Sequence, residues 1–412
     1  MSIPRTALLV TGIACIALLI VQAGGSPDVG RQPKLPPPQP SETTRFCTVS
    51  PWPVGAHPTA PTGFHVERFG GRMAKPRWIY VLPNGDVLVA ESSTDSRRSK
   101  NRITLLRDPD GDGAVESQQV FAEGLNQPFG MLLLNGKLYV ANTDSILQFD
   151  YQTGQTRLDG PGRKIASLPA GGYNNHWTRN LVAKPDGTKI YVTVGSASNA
   201  GEHGIPEELR RANILEMNPD GSGERVYASG LRNPVGMDWN PDTGELWTAV
   251  NERDNLGDYL VPDYITSVRE GAFYGWPYSY WGQHLDARVT PQRPDLVRQA
   301  IAPDFAVGAH TASLGLVFYR GRAFPERYRG GAFIGQRGSW NRSQFSGYKV
   351  LFVPFHNGRP ETPVEDFLTG FMTDPQTGRT HGRPVGVAVD RSGALLVADD
   401  VGNSVWRVTY SK

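Results

Sequence analysis

Residues 385–398 read Val-Gly-Val-Ala-Val-Asp-Arg-Ser-Gly-Ala-Leu-Leu-Val-Ala, and residues 78–90 read Trp-Ile-Tyr-Val-Leu-Pro-Asn-Gly-Asp-Val-Leu-Val-Ala. Each is an alternating apolar stretch, a tight turn centred on glycine, and a second apolar stretch. Period-2 alternation broken by such a turn is the sequence signature of a β-hairpin. Related copies occupy 129–141, 181–193 and 235–249, and a looser one spans 314–335. The turn glycines Gly85, Gly136, Gly187, Gly244 and Gly393 recur about fifty to sixty residues apart, with one longer gap that holds the loose copy. A strand-filled period of that size describes propeller blades of about four strands each. Six copies therefore predict an all-β fold, a six-bladed β-propeller of four-stranded antiparallel blades. Its last strand, Ser404 to Tyr410, is expected to close the ring with N-terminal material. A β-sandwich gives no reason for repetition at this period.

The composition agrees. The 412 residues include 47 Gly and 33 Pro, as a fold of many tight turns requires, and 39% apolar residues supply a large core. Formal charge is nearly balanced, 42 Lys+Arg against 40 Asp+Glu, which argues against a nucleic-acid partner. Two cysteines, Cys15 and Cys47, make neither a disulfide framework nor a zinc ribbon.

Residues 1–23 carry one positive charge (Arg5), an apolar run from Ala7 to Val21, and a small-residue end at Val21-Gln22-Ala23. This reads as a signal peptide with a mature start near Gly24, or else an uncleaved N-terminal membrane anchor. Either places the remainder outside the cytoplasm, periplasmic or secreted. Residues 24–63, with Pro36-Pro37-Pro38 and Pro51-Trp52-Pro53, read as a Pro-rich linker. The propeller then occupies 64–412.

Function on a propeller sits in the loops at one mouth of the ring. In 173–180, His176 is a candidate general base or a packed histidine at a strand start. In 230–258, Arg232 precedes a strand. The following cluster of Asn251, Glu252, Asp254, Asn255 and Asp258 offers oxygens to a hard cation or forms a solvated turn. The aromatic run 271–281 walls a flat pocket or caps blade edges. The stretch 108–116 begins like an EF-hand calcium loop, but its twelfth position is Gln119, so a turn with an optional surface ion is the better reading.

Taken in order, Asn175-His176, Gly230-Leu-Arg-Asn-Pro-Val-Gly236, the polar loop from Asn251, and Gly271-x-x-Tyr-Gly-Trp-Pro277 resemble the soluble quinoprotein sugar dehydrogenases. The branch is the sorbosone- or aldose-dehydrogenase-like one, and the resemblance covers about residues 64–410. It implies a six-bladed propeller binding pyrroloquinoline quinone (PQQ) and calcium, a small-molecule sugar substrate, and an external electron acceptor. By the same resemblance His176 is the general base and Arg232 stabilises charge on the reduced quinone. Asn233, Arg342 and Arg383 contact the cofactor. Calcium sits at Asp254–Asn255, where glucose-type members use the carbonyls of a Gly-Pro pair. The family's quinone-contacting lysine has no clear counterpart, Arg342 being the nearest basic residue, and Asn175 stands where glucose-type members have an acid. Two other readings are a binding propeller without catalysis and a calcium-dependent lactonase using Glu91, Asn180 and Asp399.

Overall fold

The computed structural model describes residues 26–40, 43–95 and 97–411. The expected leader, 1–23, lies outside them. Helix among the described residues is confined to Pro294–Val297 and two short 3-10 turns, and no helix there is long and apolar enough to cross a membrane.

Each quoted hairpin forms the first two strands of one antiparallel sheet, and the turn glycines take φ of 69–97°, which only glycine adopts without strain. Sheet 1 runs Pro76–Val81, Val87–Glu91, Arg102–Arg107 and Ser117–Ala122. Sheet 2 runs Met131–Leu134, Lys137–Ala141, Ser145–Asp150 and Arg163–Ser167, and sheet 3 runs Leu181–Ala183, Ile190–Val194, Asn213–Met217 and Arg225–Ser229. Sheet 4 is Pro234–Trp239, Leu246–Val250, Pro262–Ser267 and Phe305–Ala309, with Val29–Gly30 added at its edge. Sheet 5 is Ser313–Phe318, Ala332–Gln336, Lys349–Val353 and Glu365–Leu368. Sheet 6 joins Pro384–Val389, Leu395–Asp399 and Ser404–Tyr410 to Phe64–Gly70, so distant parts of the chain close it as the sequence predicts.

The first strand of each sheet is innermost. It touches the first strand of the next sheet, and that of sheet 6 touches that of sheet 1. Each interface has its own apolar cluster, such as Trp78, Phe121 and Phe129 between sheets 1 and 2, or Trp247, Phe318 and Ile334 between sheets 4 and 5. Strands buried on both faces read as near-continuous apolar runs, which is how Val87–Ala90 and Leu395–Ala398 appear.

The Pro-rich segment is extended and lies along this body. Val29–Gly30 pairs with Ala306–Val307, Thr48–Val49 lies parallel to Arg379–Thr380, and the Trp52 indole donates to Asp399 Oδ2 at 2.9 Å. Cys47 is a free thiol.

A glycine sits where neighbouring inner strands approach most closely. A Cβ on Gly236 would lie 2.5 Å from Leu316 N, one on Gly315 2.2 Å from Val385 O, and one on Gly386 2.7 Å from Arg77 O. Gly315→Ala should therefore cost about 2–4 kcal/mol in denaturant unfolding. Gly171→Ala, with open space around it, should stay within about 0.5 kcal/mol. Equal effects of the two would break the link between ring closure and these glycines.

Candidate active site

In sheets 1, 3, 4, 5 and 6, residues at the start of the innermost strand or just after the second strand meet at one end of the ring. They line a cavity of about 390 Å³. Lys75 and Arg77 come from the start of sheet 1, Trp177 and Thr178 precede sheet 3, and Arg232 and Asn233 precede sheet 4. Arg337 and Asp400 follow the second strands of sheets 5 and 6, and Arg383 precedes sheet 6. Of the residues expected from sequence, His176, Arg232, Asn233, Asp254 and Arg383 are brought together here.

His176 is held by its Nδ1, which lies 2.9 Å from both the carbonyl and the hydroxyl oxygen of Ser196. The Ser196 hydroxyl donates to Ser198 O at 2.6 Å, so both Ser196 oxygens accept from the ring. Nδ1 therefore carries the proton, and the lone pair is left on Nε2, which has no hydrogen-bond partner among the described residues. Burial, then the positive charge of Arg232, holds the His176 pKa well below 6.5, so the ring is neutral near pH 7. A glycine behind it makes the arrangement fit: a Cβ on Gly195 would lie 2.5 Å from His176 Cβ and 2.4 Å from Asn233 Oδ1.

Arg232 is fully buried. Its Nε donates to Asn199 O (3.1 Å), Nη1 to Glu252 O (2.5 Å), and Nη2 to Asn199 Oδ1 (2.8 Å) and Asp254 Oδ2 (3.2 Å). The other Asp254 oxygen faces His310 Nδ1 at 3.2 Å, while His310 Nε2 lies 2.8 Å from Gly257 O. With acceptors on both ring nitrogens, His310 has a raised pKa even though burial opposes it. Burial alone would lift the Asp254 carboxyl. The His310 hydrogen bond and Arg232 outweigh it and hold the carboxyl below the usual range.

The opposite wall is cationic. Asp400 Oδ2 accepts from Arg77 Nη1 (2.7 Å) and Arg337 Nε (2.6 Å), and these charges hold Asp400 ionised against its burial. Burial, and then Arg337, pushes the Arg77 pKa down to about 10, while its guanidinium lies over the Trp177 ring at 5.3 Å. Arg383 donates to the carbonyls of Arg337 (2.9 Å) and Gly338 (2.8 Å). The Lys75 pKa is lowered, chiefly by desolvation.

Arg342 does not join them. It donates to Ala309 O (3.0 Å), lies over Tyr259 and approaches Asp28 at 3.7 Å, outside the cavity lining. The basic residues present instead are Arg337, five positions earlier at the strand end, and Lys75 from sheet 1. Asn255 also turns away, its amide oxygen accepting from Asn341 Nδ2 at 2.8 Å. The aromatic run caps rather than walls. Tyr274, Trp276, Tyr278 and Tyr280 are buried outside the cavity lining, and Trp276 Nε1 braces the Asn199 carbonyl that also holds Arg232 (3.0 Å). The rings that do line the cavity are Trp177 and Trp340, the latter stacked on Phe46. Glu91, Asn180 and Asp399 are not among the residues lining it, so the lactonase ligand set does not face this cavity. The acidic turn at 108–116 is a surface feature, where Asp108, Asp110, Asp112 and Glu116 place carboxylate oxygens within 4.8 Å of one another.

Sequence reasoning missed Lys75, Arg77, Arg337, Asp400, His310 and Asn199. The signal available was positional. Arg77 and Arg383 stand beside the start of an innermost strand as Arg232 does, and Asp400 and Arg337 follow a second strand as Asn251 does.

The family described as a domain of unknown function (DUF7133) matches residues 59–339, and a TrAA12-like family matches 290–411. The chain belongs to the DUF7133 family. An uncharacterized protein of Borreliella burgdorferi is 30% identical over 85% of this chain and 90% of its own. A pyrroloquinoline quinone-dependent pyranose dehydrogenase of Coprinopsis cinerea is 25% identical over 84% of this chain and 53% of its own; the chain spans about half the length of that enzyme. The holo PQQ domain of the C. cinerea pyranose dehydrogenase superposes with a TM-score of 0.72 at 21% identity, covering 88% of this chain and 99% of that one. The calcium structure of a Trichoderma reesei carbohydrate-active enzyme of family AA12 gives 0.72 at 19% identity, covering 86% and 97%. These relatives bear out the resemblance to the quinoprotein sugar dehydrogenases.

Because its folded pKa lies below 6.5, His176 should remain neutral as pH falls through 6.5 and charge only well beneath it. Imidazole chemical shifts, assigned with His176→Gln, would show this. A midpoint at or above 6.5 would contradict the buried geometry.

Proposed function

We propose that this protein is an exported, PQQ-dependent oxidoreductase acting on an aldose or related sugar of the aldose or sorbosone type, built on a six-bladed β-propeller. The observation that carries the reading is the pairing, in one cavity, of a neutral His176 with a free Nε2 and an opposing wall rich in cations. Six Lys and Arg side chains line the cavity against two carboxylates. PQQ is a planar tricarboxylate, and that excess suits it. The cavity also holds buried polar atoms without partners among the described residues, Asn233 Oδ1, Arg77 Nε and Ser92 Oγ. Such atoms are costly unless something hydrogen-bonds them. Bordering Trp177 offers a face to a flat ring.

Lys75, Arg77, Arg337 and Arg383 would hold the carboxylates, with Asn233 and Arg232 on the opposite side. Bound there, PQQ would supply the two-electron acceptor for hydride. The chain supplies the base. Ser196 fixes the tautomer, and His176 Nε2 takes the proton of a sugar hydroxyl while that carbon gives up hydride. Arg232, oriented by Asn199 and Asp254, places a fixed positive charge beside the site of developing negative charge. The leader reading supports a periplasmic or secreted location, or a tether to the membrane, where an external acceptor would reoxidise the enzyme.

The test is quinone uptake by absorbance, followed by aldose-dependent reduction of a dye. His176→Ala should lower kcat by about 10²–10⁴-fold while leaving quinone affinity nearly unchanged. Arg77→Ala should instead weaken quinone binding by about tenfold or more, the worth of one lost charge-assisted hydrogen bond. Absence of quinone uptake would favour a non-catalytic binding propeller.

A further inference from the structure

Resemblance puts calcium at Asp254–Asn255, and every oxygen of that pair is already engaged by a nitrogen donor. Asp254 Oδ1 faces His310 Nδ1, and Oδ2 accepts from Arg232. The Asp254 carbonyl accepts from Arg288 Nη1 at 2.8 Å and Asn199 Nδ2 at 3.2 Å. The Asn255 carbonyl lies 3.5 Å from the same Nη1, and its amide oxygen accepts from Asn341. Calcium needs six to eight oxygens at about 2.3–2.6 Å, and every oxygen this pair could offer already has a nitrogen donor against it. Arg288 is held in place from behind, its Nε and Nη2 gripping Asp286 at 2.9 and 2.7 Å. Its third nitrogen is thereby aimed at the two carbonyls. Charge points the same way: a cavity with six basic side chains and two carboxylates has four positive charges in excess before any metal. Three carboxylates would nearly neutralise it, and a dication would restore the imbalance.

We propose that Arg288 replaces calcium at the Asp254–Asn255 carbonyls, so that this chain binds its anionic quinone without the metal. Arg288 is a positioning residue: it fixes the backbone of Asp254, which orients Arg232, and it lies in the adjoining cleft rather than the cavity itself. The claim rests on the quinone reading above, and its test has one arm that does not.

In the first arm, PQQ uptake by the full chain is followed by absorbance in excess EGTA and in millimolar calcium. The two dissociation constants should agree within about twofold; a gain of about tenfold or more on adding calcium would overturn the proposal. The second arm is calorimetric titration of calcium into the quinone-free chain carrying Asp110→Asn and Asp112→Asn, which silences the acidic surface turn. No saturable site is expected there, and one should appear when Arg288→Gln is added, lost again with Asp254→Asn. A calcium site already present with Arg288 intact and abolished by Asp254→Asn would overturn the assignment, as would a folded Arg288→Gln chain that gains none. Should Arg288→Gln not fold, the measurements with Arg288 intact decide alone. If quinone fails to bind in either buffer, the proposed function falls while the calorimetry still judges the carbonyls.

Discussion

Backbone-to-backbone contact between innermost strands sets the geometry of everything else. At three successive interfaces a glycine of one inner strand lies against the main chain of the next: Gly236 against Leu316, Gly315 against Val385, Gly386 against Arg77. At each of these points even one methyl group would be too large. The sheets therefore meet at a fixed spacing near the axis and diverge outward, where Tyr139, Trp247, Phe333, Phe352 and Trp406, on second and third strands, fill the widening gaps. Large aromatic residues outside and glycine inside are two consequences of one wedge shape. Because the core is close-packed, the inner strand ends cannot drift, and side chains at those ends hold fixed mutual distances without the support of a helix.

That rigidity is what lets the cavity tolerate its charge. Burying an arginine without a partner is costly, yet Arg77, Arg232 and Arg383 are all buried or nearly so beneath the mouth. The structure meets the cost in two ways. Two carboxylates are each shared between cationic partners, Asp400 by Arg77 and Arg337, and Asp254 by Arg232 and His310. The other donors point at main-chain carbonyls, as Arg383 does at residues 337 and 338. Neither device neutralises the cavity, so an anionic guest remains the natural completion. His176 stays neutral because it is buried in this positive field. The charges proposed to receive a polycarboxylate thus also keep His176 free of a second proton.

The ring was legible because each hairpin carries its own evidence: alternation, a positive-φ glycine and an apolar second strand. His176, Arg232, Asn233, Asp254 and Arg383 were legible as candidates through the resemblance of short motifs. Of the aromatic run's two readings the structure takes the capping one, and Arg342 was misplaced because it lies in the loop between Gln336 and Lys349, whose path no alternation predicts. The direction of a side chain at a strand end depends on backbone irregularities that composition does not reveal. The pairing register shifts between Pro76 and Trp78, Pro234 and Met237, Ser313 and Gly315, and Pro384 and Val387. An extra residue at such a point re-aims its neighbours. The alternation that assigns faces within a strand therefore fails where the site residues sit.

Those irregularities also explain why close packing and chemistry share the same short segments. Gly236 and Gly386 fall inside the register shifts of sheets 4 and 6, and Gly315 ends that of sheet 5. Arg77 occupies the corresponding place in sheet 1, and Arg232 and Arg383 lie one or two residues upstream of theirs. In sheets 4 and 6 one bulge of the inner strand thus brings glycine against the adjacent backbone beside a long side chain that lines the mouth. The contact that closes the ring and the contact that builds the cavity are adjacent steps of one local distortion. Residues exchanged at the mouth, such as a guanidinium facing the Asp254 and Asn255 carbonyls, can then alter the site's chemistry without altering the ring.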